Sequence, residues 1–371
     1  MSKVERLASK SPVQTTNLHD RHLALGAHMA TFGDWEMPIW YTSILREHQA
    51  VRTAAGLFDI CHMGQVVVEG PEALPYLQRV MTRDLSGLEV GEAKYSLVCK
   101  AKGGTVDDVF VYRLADEEYF VVVNAGTRQT DLDWLQDQKE RGPYRQVKIE
   151  DISGGRSALA LQGPNAEAVL QPLTGFNLAS LERHHIVEID IDGQMALVAR
   201  TGYTGEKGLE IFFEGDAGKL WDEILANGAV PVGLGARDSL RLEAGMPLYG
   251  HELGPDINPI QAGLGWAVGF KKDHFIGRDA LIRIKHEGCP IVLVGLQMVG
   301  KGIARSNYPV SVSDCMVGMV TSGMLSPTLN RAIALAYVER GYSKIGTQVE
   351  VTIHDQLRTA AVVKKPFYER E

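Results

Sequence analysis

GGTVDDVFVYRLADEEYFVVVN, residues 103–124, is the stretch that decides the fold of the first half of the chain. It contains two β-rich runs, at residues 106–114 and 119–124, separated by an acidic turn at residues 116–118. A glycine pair precedes the first run, and a third β-rich run lies just before it at residues 95–100. Short apolar runs separated by turn residues are typical of strands joined by hairpins. The stretch therefore predicts three consecutive strands of an antiparallel sheet.

Outside this stretch, the chain mixes strand and helix patterns without regular alternation. Strands are predicted at residues 64–70, 157–162 and 208–213, a hairpin at residues 186–200, and helices at residues 71–82, 127–140, 165–173, 217–226 and 238–244. Short β-rich runs at residues 291–297, 317–321, 332–338, 349–353 and 359–364 predict a small C-terminal barrel or sandwich. A doubly wound parallel sheet is disfavoured, because such folds alternate strand and helix regularly. The predicted class is α+β, with mostly antiparallel sheets, helices and a small C-terminal β-barrel.

Length and charge limit the class of protein. A chain of 371 residues is expected to form two or three domains, at about 150 residues per domain. The punctuation Gly288-Cys289-Pro290 precedes the last β-rich segment and predicts a division into residues 1–288 and 289–371. The net charge of −8 disfavours a nucleic-acid binder, since such proteins are usually basic. No apolar run reaches about 18 residues, so no membrane span is expected.

The four cysteines, Cys61, Cys99, Cys289 and Cys315, are too far apart in sequence to form a Cys-x-x-Cys site. Reduced thiols and a cytoplasmic location are therefore expected. Residues 1–17 lack the apolar core of a secretory signal. The eleven histidines form no His-x-x-x-His or His-x-x-Glu-His pattern, so no metal site is expected.

Two adjacent carboxylates, Asp107 and Asp108, stand near the start of the strand predicted at residues 106–114. Side chains alternate along a strand, so Asp108 shares one face with Phe110 and Tyr112, while Asp107 lies on the other face. Only one of the two carboxylates can therefore face a given pocket. The aromatic rings beside Asp108 could clamp a flat ligand. The alternative is that both acids cap the preceding glycine turn, as aspartate often does.

A second candidate is the glycine-rich segment TGYTGEKGLEI, residues 201–211. It ends in an apolar strand that contains Glu210, and a buried carboxylate needs hydrogen-bond partners. A ring N–H beside an exocyclic amine, as on a pterin or guanine, would satisfy Glu210 through paired hydrogen bonds. The alternatives are an internal arginine partner or an exposed strand face. Glu206, in the glycine turn, is expected to be solvated.

A third candidate is Arg237, within the run GLGARDSLRLEAGM at residues 233–246. Arg237 is expected at the start of a helix, where its guanidinium can bind a carboxylate or a polarised carbonyl. The alternative is a structural ion pair. Arg241, one turn later, is expected to pair with Glu243 or Glu210. The glycines of this run do not complete a dinucleotide-binding fingerprint.

Ten short runs in a fixed order resemble one known family. They are LHDRHLALGAH (18–28), FGDWEMP (32–38), VRTAAGLFDICHM (51–63), GGTVDDVFVY (103–112), LQGP (161–164), RTGYTGEKGLEI (200–211), GLGARDSLRLEAG (233–245), TSG (321–323), SPTL (326–329) and KKPFY (364–368). In this order and spacing they resemble the aminomethyltransferase (T-protein) family of the glycine cleavage system, within a folate-dependent superfamily. Residues 1–16 match nothing in that family.

The resemblance implies a three-domain clover leaf around a central channel that holds tetrahydrofolate as co-substrate, with no metal. It implies transfer of a one-carbon unit from the aminomethyl-lipoyl arm of lipoylated H-protein to tetrahydrofolate. The products would be 5,10-methylenetetrahydrofolate, ammonia and dihydrolipoyl H-protein. By motif position, it implies Asp108 as the catalytic residue. The folate contacts that it implies are Met63, Tyr95, Tyr112, Asn124, Tyr203, Glu210, Arg237, Trp266 and Tyr368.

The superfamily is broader than one reaction, so two alternatives stay open. One is a tetrahydrofolate-dependent demethylase of a small methyl donor, and the other is a non-catalytic folate-binding protein. The presence of Asp108 and of the intact run at residues 202–206 favours an enzyme over a non-catalytic binder.

Overall fold

The computed structural model describes residues 13–370. The prediction that the N-terminus carries no secretory signal rests on residues 1–17, of which residues 1–12 lie outside the described residues. No helix between residues 13 and 370 is long and apolar enough to cross a membrane.

The described chain mixes short helices with many strands. In chain order, the strands are β1 (His28–Phe32), β2 (Trp35–Trp40), β3 (Gly56–Asp59), β4 (Gly64–Glu69), β5 (Ala93–Cys99), β6 (Thr105–Ala115), β7 (Glu118–Val123), β8 (Lys148–Asp151), β9 (Arg156–Gln162), β10 (Ile186–Ile191), β11 (Gln194–Ala199), β12 (Gly208–Glu214), β13 (Val230–Pro231), β14 (Ile291–Met298), β15 (Pro309–Val312), β16 (Cys315–Ser326), β17 (Arg331–Glu339), β18 (Gln348–Ile353) and β19 (Gln356–Val363). The helices are α1 (His19–Ala24), α2 (Ile44–Thr53), α3 (Ala73–Val80), α4 (Arg128–Arg141), α5 (Ala166–Leu170), α6 (Gly218–Ala226), α7 (Leu234–Glu243) and α8 (Arg278–Glu287).

The first large sheet has five strands in the order β5-β6-β7-β4-β8, and every neighbouring pair is antiparallel. The meander predicted from residues 95–124 is thus β5-β6-β7. One face of this sheet packs under α3 and α4, with Val109 and Val111 of β6 against Tyr76 and Leu135 of the helices. Burial of this face leaves the opposite face free to meet a second sheet.

The second sheet has six strands in the order β10-β11-β12-β9-β3-β13. All pairs are antiparallel except β13 with β3. The whole five-stranded sheet is built between β3 and β9 in the chain, so the two sheets are intertwined in sequence. They pack face to face through a core that includes Phe58, Tyr112, Phe120 and Phe212. The other face of the six-stranded sheet packs under α5 and α6, around Trp221.

The C-terminal segment forms a closed barrel in the order β14-β17-β16-β15-β18-β19, with β19 pairing back to β14. Closure removes the free edges that an open sheet would expose. Along β17, Ala334 and Ala336 fill the barrel interior, while Ile333 and Leu335 point outward. The outward residues pack against Leu242 of α7, which seats the barrel on the rest of the chain.

A buried ionic network strengthens this contact with the barrel. Glu243, the last residue of α7, has a fully buried side chain that lies 2.8 Å from Arg52 Nη2 and 3.1 Å from His48 Nε2. From the barrel side, the Ser326 hydroxyl donates to the Glu243 carboxylate, and the Thr328 N–H donates to it at 3.0 Å. Burial alone would raise the pKa of Glu243, but hydrogen bonds and charge from His48, with Ser326 and Arg52, lower it to about 2.

The predicted α+β class is confirmed. Two mostly antiparallel sheets with helices and a C-terminal barrel form the three parts of the predicted clover-leaf arrangement. The predicted helix at residues 238–244 is wrong in its start, because α7 begins at Leu234. The N–H of Gly233 donates to Glu47 Oε2 at 2.9 Å, so a carboxylate distant in sequence caps this helix. The β1–β2 hairpin and helices α1, α2 and α8 were not predicted. The division into residues 1–288 and 289–371 stays a prediction.

Candidate active site

Asp108 lies on β6, an inner strand of the five-stranded sheet. Phe110 and Tyr112 of this strand pack into the core between the two sheets, whereas Val109 and Val111 pack under the helices. Because side chains alternate along a strand, Asp108 shares the inter-sheet face with the two aromatic residues. The structure therefore has the face arrangement that the sequence predicts.

Two donors hold the carboxylate of Asp108. The Tyr95 hydroxyl donates to Oδ2 at 2.9 Å, and Asn124 Nδ2 donates to Oδ1 at 3.0 Å. Burial, together with the negative charge of Asp107, raises the pKa of Asp108 to about 7. A carboxyl group with such a pKa can take up or release a proton near neutral pH.

Asp107 is fully buried and lies on the helix-covered face of the sheet. Its Oδ2 accepts the backbone N–H of Asn124 at 3.0 Å, and its Oδ1 accepts Asn124 Nδ2 at 2.9 Å. The side-chain amide of Asn124 therefore contacts both carboxylates. The alternative that both acids cap the glycine turn at residues 103–104 is wrong, because their hydrogen bonds come from Tyr95 and Asn124.

A row of aromatic side chains leads from the surface to the buried Tyr112. Trp266, which is 59% exposed, stacks on Tyr95 with ring centroids 5.5 Å apart. The ring centroid of Phe110 lies 5.8 Å from that of Tyr95 and 5.8 Å from that of Tyr112. These rings present flat apolar faces beside Asp108, and such faces stack well on flat ligands.

Glu210, on β12, is linked to this aromatic row through Thr201. The Thr201 hydroxyl donates to Glu210 Oε2 and lies 3.1 Å from the Tyr112 hydroxyl oxygen. Burial raises the pKa of Glu210, and the hydrogen bond from Thr201 and the charge of Arg237 offset that rise only in part. The alternative of an internal arginine partner is not realised as a direct pair, since Arg237 acts on Glu210 through its charge.

Arg237 projects from the first turn of α7. Its guanidinium carbon lies 5.0 Å from the centroid of the Tyr203 ring, and burial lowers its pKa. Its Nη1 is buried and has no hydrogen-bond partner among residues 13–370. An unpaired buried donor is costly, so a ligand oxygen at this position would stabilise the site. The negative charge of Asp108 contributes, after burial, to the raised pKa of Tyr203, so the two residues lie within range of each other's charge.

The prediction that Arg241 pairs with Glu243 or Glu210 is wrong. The Arg241 guanidinium lies 2.8 Å from Asp238 and 2.9 Å from Glu252. Asp238 lies one turn before Arg241 on the same face of α7, which explains the first of these contacts.

The prediction that Glu206 is solvated is also wrong. Its side chain is 2% exposed, and Oε1 lies 3.0 Å from Arg52 Nη1. The Tyr368 hydroxyl donates to the same oxygen at 2.9 Å, and the Arg52 guanidinium carbon lies 4.1 Å from the centroid of the Tyr368 ring. Tyr368 thus binds the glycine turn from the C-terminal tail, and these contacts do not include Asp108. Met63 packs against the core between the sheets.

Two polar residues near the candidate site were not predicted. Thr201 connects Glu210 to Tyr112, and Asp131 on α4 is 2% exposed and lies beside Asp107. A signal for Asp131 exists in the sequence, because it precedes Leu135 by four residues and so shares the inward face of the helix. No comparable pattern marks Thr201.

The four cysteines are free thiols, and Cys99 and Cys289 are buried. Within residues 13–370, no group of three histidine, cysteine, aspartate or glutamate side chains could hold a metal ion.

Comparisons with known proteins agree with this fold and identify the family of the chain. A family model described as the GCVT N-terminal domain matches residues 18–272, and one described as the Glycine cleavage T-protein C-terminal barrel domain matches residues 292–369. The chain therefore belongs to the glycine cleavage T-protein family. This result confirms the resemblance stated from the sequence, and the chain is an enzyme of the aminomethyltransferase class.

Individual relatives match over nearly their whole length. The chain is 48% identical to an aminomethyltransferase of Symbiobacterium thermophilum, over 96% of this chain and 97% of that protein. It is 45% identical to an aminomethyltransferase of Desulforamulus reducens, over 97% of this chain and 99% of that protein. The crystal structure of glycine cleavage system aminomethyltransferase T from Bartonella henselae is similar, with a TM-score of 0.90 and 34% identity over 96% of this chain and 98% of that chain.

Proposed function

We propose that the chain transfers the one-carbon unit of aminomethyl-lipoyl H-protein to tetrahydrofolate, with release of ammonia and dihydrolipoyl H-protein. The observation that carries this proposal is the Asp108 carboxyl, held by Tyr95 and Asn124 beside an aromatic row and with a pKa of about 7. Family membership supports the same reaction.

The residues around Asp108 fit tetrahydrofolate, which has a flat pyrimidine ring fused to a reduced ring, with N–H groups, a carbonyl oxygen and an anionic tail. The unpartnered Nη1 of Arg237 is a donor for a ligand oxygen. The carboxylate of Glu210 is an acceptor for ring N–H groups, and Trp266, stacked on Tyr95 and 59% exposed, offers an aromatic surface for stacking. We assign folate binding to Met63, Tyr95, Tyr112, Asn124, Tyr203, Glu210, Arg237, Trp266 and Tyr368.

Tetrahydrofolate supplies the nitrogen nucleophile of this reaction. Asp108, as a carboxylate, stabilises the positive charge that develops on the transferred carbon as its bond to the lipoyl sulfur breaks. With a pKa of about 7, Asp108 also accepts a proton from the attacking nitrogen. Tyr95 and Asn124 hold the Asp108 carboxylate in one position. Because the carboxylate is already oriented when the two reactants bind, less entropy is lost on the way to the transition state.

The proposed function is tested by the release of ammonia from aminomethylated H-protein with and without tetrahydrofolate. We expect fast release only when both substrates are present, together with formation of 5,10-methylenetetrahydrofolate. Methyl transfer from a small methyl donor in place of this reaction would favour a demethylase. Tight folate binding without either reaction would favour a non-catalytic folate-binding protein.

Glu210→Gln is expected to weaken tetrahydrofolate binding by about 1.5–3 kcal/mol, the range for a hydrogen bond to a charged group. Binding of H-protein should be nearly unchanged. Isothermal titration calorimetry measures both affinities. Glu214→Gln is the matched control, because Glu214 is an exposed carboxylate on the same strand and should leave folate binding unchanged. Wild-type folate affinity in the Glu210 variant would reassign Glu210 to an internal structural role.

Two further assignments accompany the proposal. We divide the chain into a folate-binding region at residues 1–288 and a barrel domain at residues 289–371. A cytoplasmic location stays a prediction, made from the spacing of the four cysteines.

A further inference from the structure

Three carboxyl groups meet where β6 passes under α4. They belong to Asp107 and Asp108 of β6 and to Asp131 of α4. Asn124 Nδ2 donates to Asp107 at 2.9 Å, and the Thr127 hydroxyl donates to the Asn124 carbonyl oxygen at 3.2 Å. Asp131 follows Thr127 by one turn of α4, which brings its carboxyl group beside that of Asp107. Asp107 and Asp131 are 0% and 2% exposed. None of the salt bridges within residues 13–370 involves any of the three, so no lysine, arginine or histidine neutralises them. Buried like charges without a cation cannot all ionise, so at least one of the three carries a proton.

Hydrogen-bond donors identify which of the three is protonated. Asp108 accepts from Tyr95 and Asn124, and Asp107 accepts twice from Asn124. By contrast, neither oxygen of Asp131 accepts a well-formed hydrogen bond in the described part of the chain, and the nearby Thr127 hydroxyl also faces the Asn124 carbonyl oxygen at 3.2 Å. Donors stabilise an ionised carboxylate, and their absence favours the protonated form.

We propose that Asp131 is a positioning residue of the aminomethyltransferase: it stays protonated, donates a hydrogen bond to Asp107, and so keeps Asp107 ionised beside Asp108. The proposal rests on the proposed function for its catalytic consequence, because Asp108 is the reacting carboxyl there. Two carboxyl groups can form a hydrogen bond only if one of them holds a proton, and Asp131 is the member without other donors.

The surrounding titratable groups agree with this assignment. The negative charge of this carboxyl cluster helps to raise the pKa of three tyrosines, Tyr95, Tyr203 and Tyr249. Burial is the largest cause of the rise in each of them. They are therefore neutral at ordinary pH and add no charge to the three carboxyl groups. Arg128, on the same helix as Asp131, is paired with Asp151 at 2.6 Å. Burial and the charge of Asp107 raise the pKa of Asp131.

Asp131 affects catalysis indirectly, because the charge of Asp107 influences the pKa of Asp108. An ionised Asp107 repels a second negative charge and helps burial to raise the pKa of Asp108 to about 7. If Asp131 could not donate, the proton would move to Asp107, and Asp108 would lose its charged neighbour. Asp108 would then ionise at lower pH, so its ability to exchange a proton near neutral pH would fall.

The proton on Asp131 is tested without any substrate, by infrared absorption in the carbonyl-stretch region of protonated carboxylic acids. The spectra are taken at about pH 8.5, above the pKa of Asp108, so that Asp108 is ionised. We expect the wild-type chain to show a protonated-acid band that Asp131→Asn removes. Asp133→Asn, a change of an exposed acid on the same helix, should leave the band in place. A band of unchanged intensity in the Asp131 variant would overturn the proposal.

The positioning role is tested by the pH dependence of turnover in the full-length enzyme. Asp131→Asn keeps a neutral N–H donor toward Asp107. The acid limb of its pH profile, where turnover falls as the pH is lowered, should therefore coincide with that of the wild type. Asp131→Leu keeps the size of the side chain but has no donor, so its acid limb should shift to lower pH by about one unit. A leucine variant with an unshifted limb would refute the role. If that variant does not fold, a shifted limb in Asp131→Asn refutes it instead.

These two measurements separate the inference from the function on which it rests. If the wild-type chain released no ammonia from aminomethylated H-protein, the proposed function would fail, while the infrared result would still decide the protonation of Asp131. A normal reaction with no protonated-acid band would contradict the inference alone.

Discussion

Asp108→Asn should lower turnover by about two orders of magnitude or more while leaving tetrahydrofolate affinity within several-fold of the wild type. The amide keeps the shape of the side chain and its contact with Tyr95, but it carries no negative charge and cannot accept a proton. Loss of a charge-stabilising or acid–base group typically costs at least about 100-fold in rate. Steady-state ammonia release and calorimetric folate binding measure the two effects separately.

The same variant should be more stable than the wild type at alkaline pH. The pKa of Asp108 in the folded chain is about 7, above its ordinary value of 3.8, so ionisation of Asp108 opposes folding. This cost is fully present above about pH 7 and disappears as the pH falls towards 4. We therefore expect the Asp108 variant to unfold at a higher temperature than the wild type at about pH 8, with a difference that shrinks in acid.

Asp107→Asn is the matched control for Asp108→Asn, because it changes the neighbouring carboxylate on the other face of the strand. Asp107 is fully buried and accepts two hydrogen bonds from Asn124. Its loss should reduce the free energy of unfolding. Turnover, measured at the pH optimum of the variant, should fall much less than it does in the Asp108 variant. An inactive Asp107 variant beside an active Asp108 variant would show that the reacting carboxylate is on the opposite face.

Glu243→Gln should reduce the free energy of unfolding by about 3 kcal/mol. The carboxylate of Glu243 is fully buried between α2, α7 and the barrel, where it neutralises Arg52 and lies 3.1 Å from His48 Nε2. Removal of one partner from a buried ion pair leaves an uncompensated charge, which costs about 3–5 kcal/mol. The lower end applies because Arg52 keeps its second partner, Glu206, at 3.0 Å. Urea unfolding at neutral pH measures the difference.

The pH dependence identifies the source of that loss. The pKa of Glu243 falls from 4.5 to about 2 on folding, so its contribution is present above pH 4.5 and is lost as the pH falls towards 2. The difference between the variant and the wild type should shrink over this interval. Glu182→Gln, a change of an exposed acid, should alter stability by no more than about 0.5 kcal/mol at any pH. A Glu243 variant as stable as this control would mean that the network contributes little.

Local patterns predicted much of the fold. The meander at residues 95–124 and the strands from residue 291 onward follow from short β-rich runs and their turns, which act over a few residues. The β1–β2 hairpin and α2 were not predicted, although α2 has a local start signal: the Ser43 side chain accepts the N–H of Arg46 at 3.2 Å. The start of α7 was missed because its cap comes from Glu47, which is distant in sequence.

The sequence by itself determined that Asp108 shares a strand face with Phe110 and Tyr112, because alternation along a strand is a local property. The sequence also determined the family, because the ten short motifs and their order can be read without the structure. Only the tertiary structure decided that Glu206 is buried against Tyr368, 162 positions away, and that Asp131 lies against Asp107. Contacts of this kind depend on how separate elements pack, and a carboxylate looks the same in sequence whether folding leaves it in water or surrounds it with apolar groups and other acids. Burial and the absence of a nearby cation set the proton affinities of this site, and both arise only when the chain is folded.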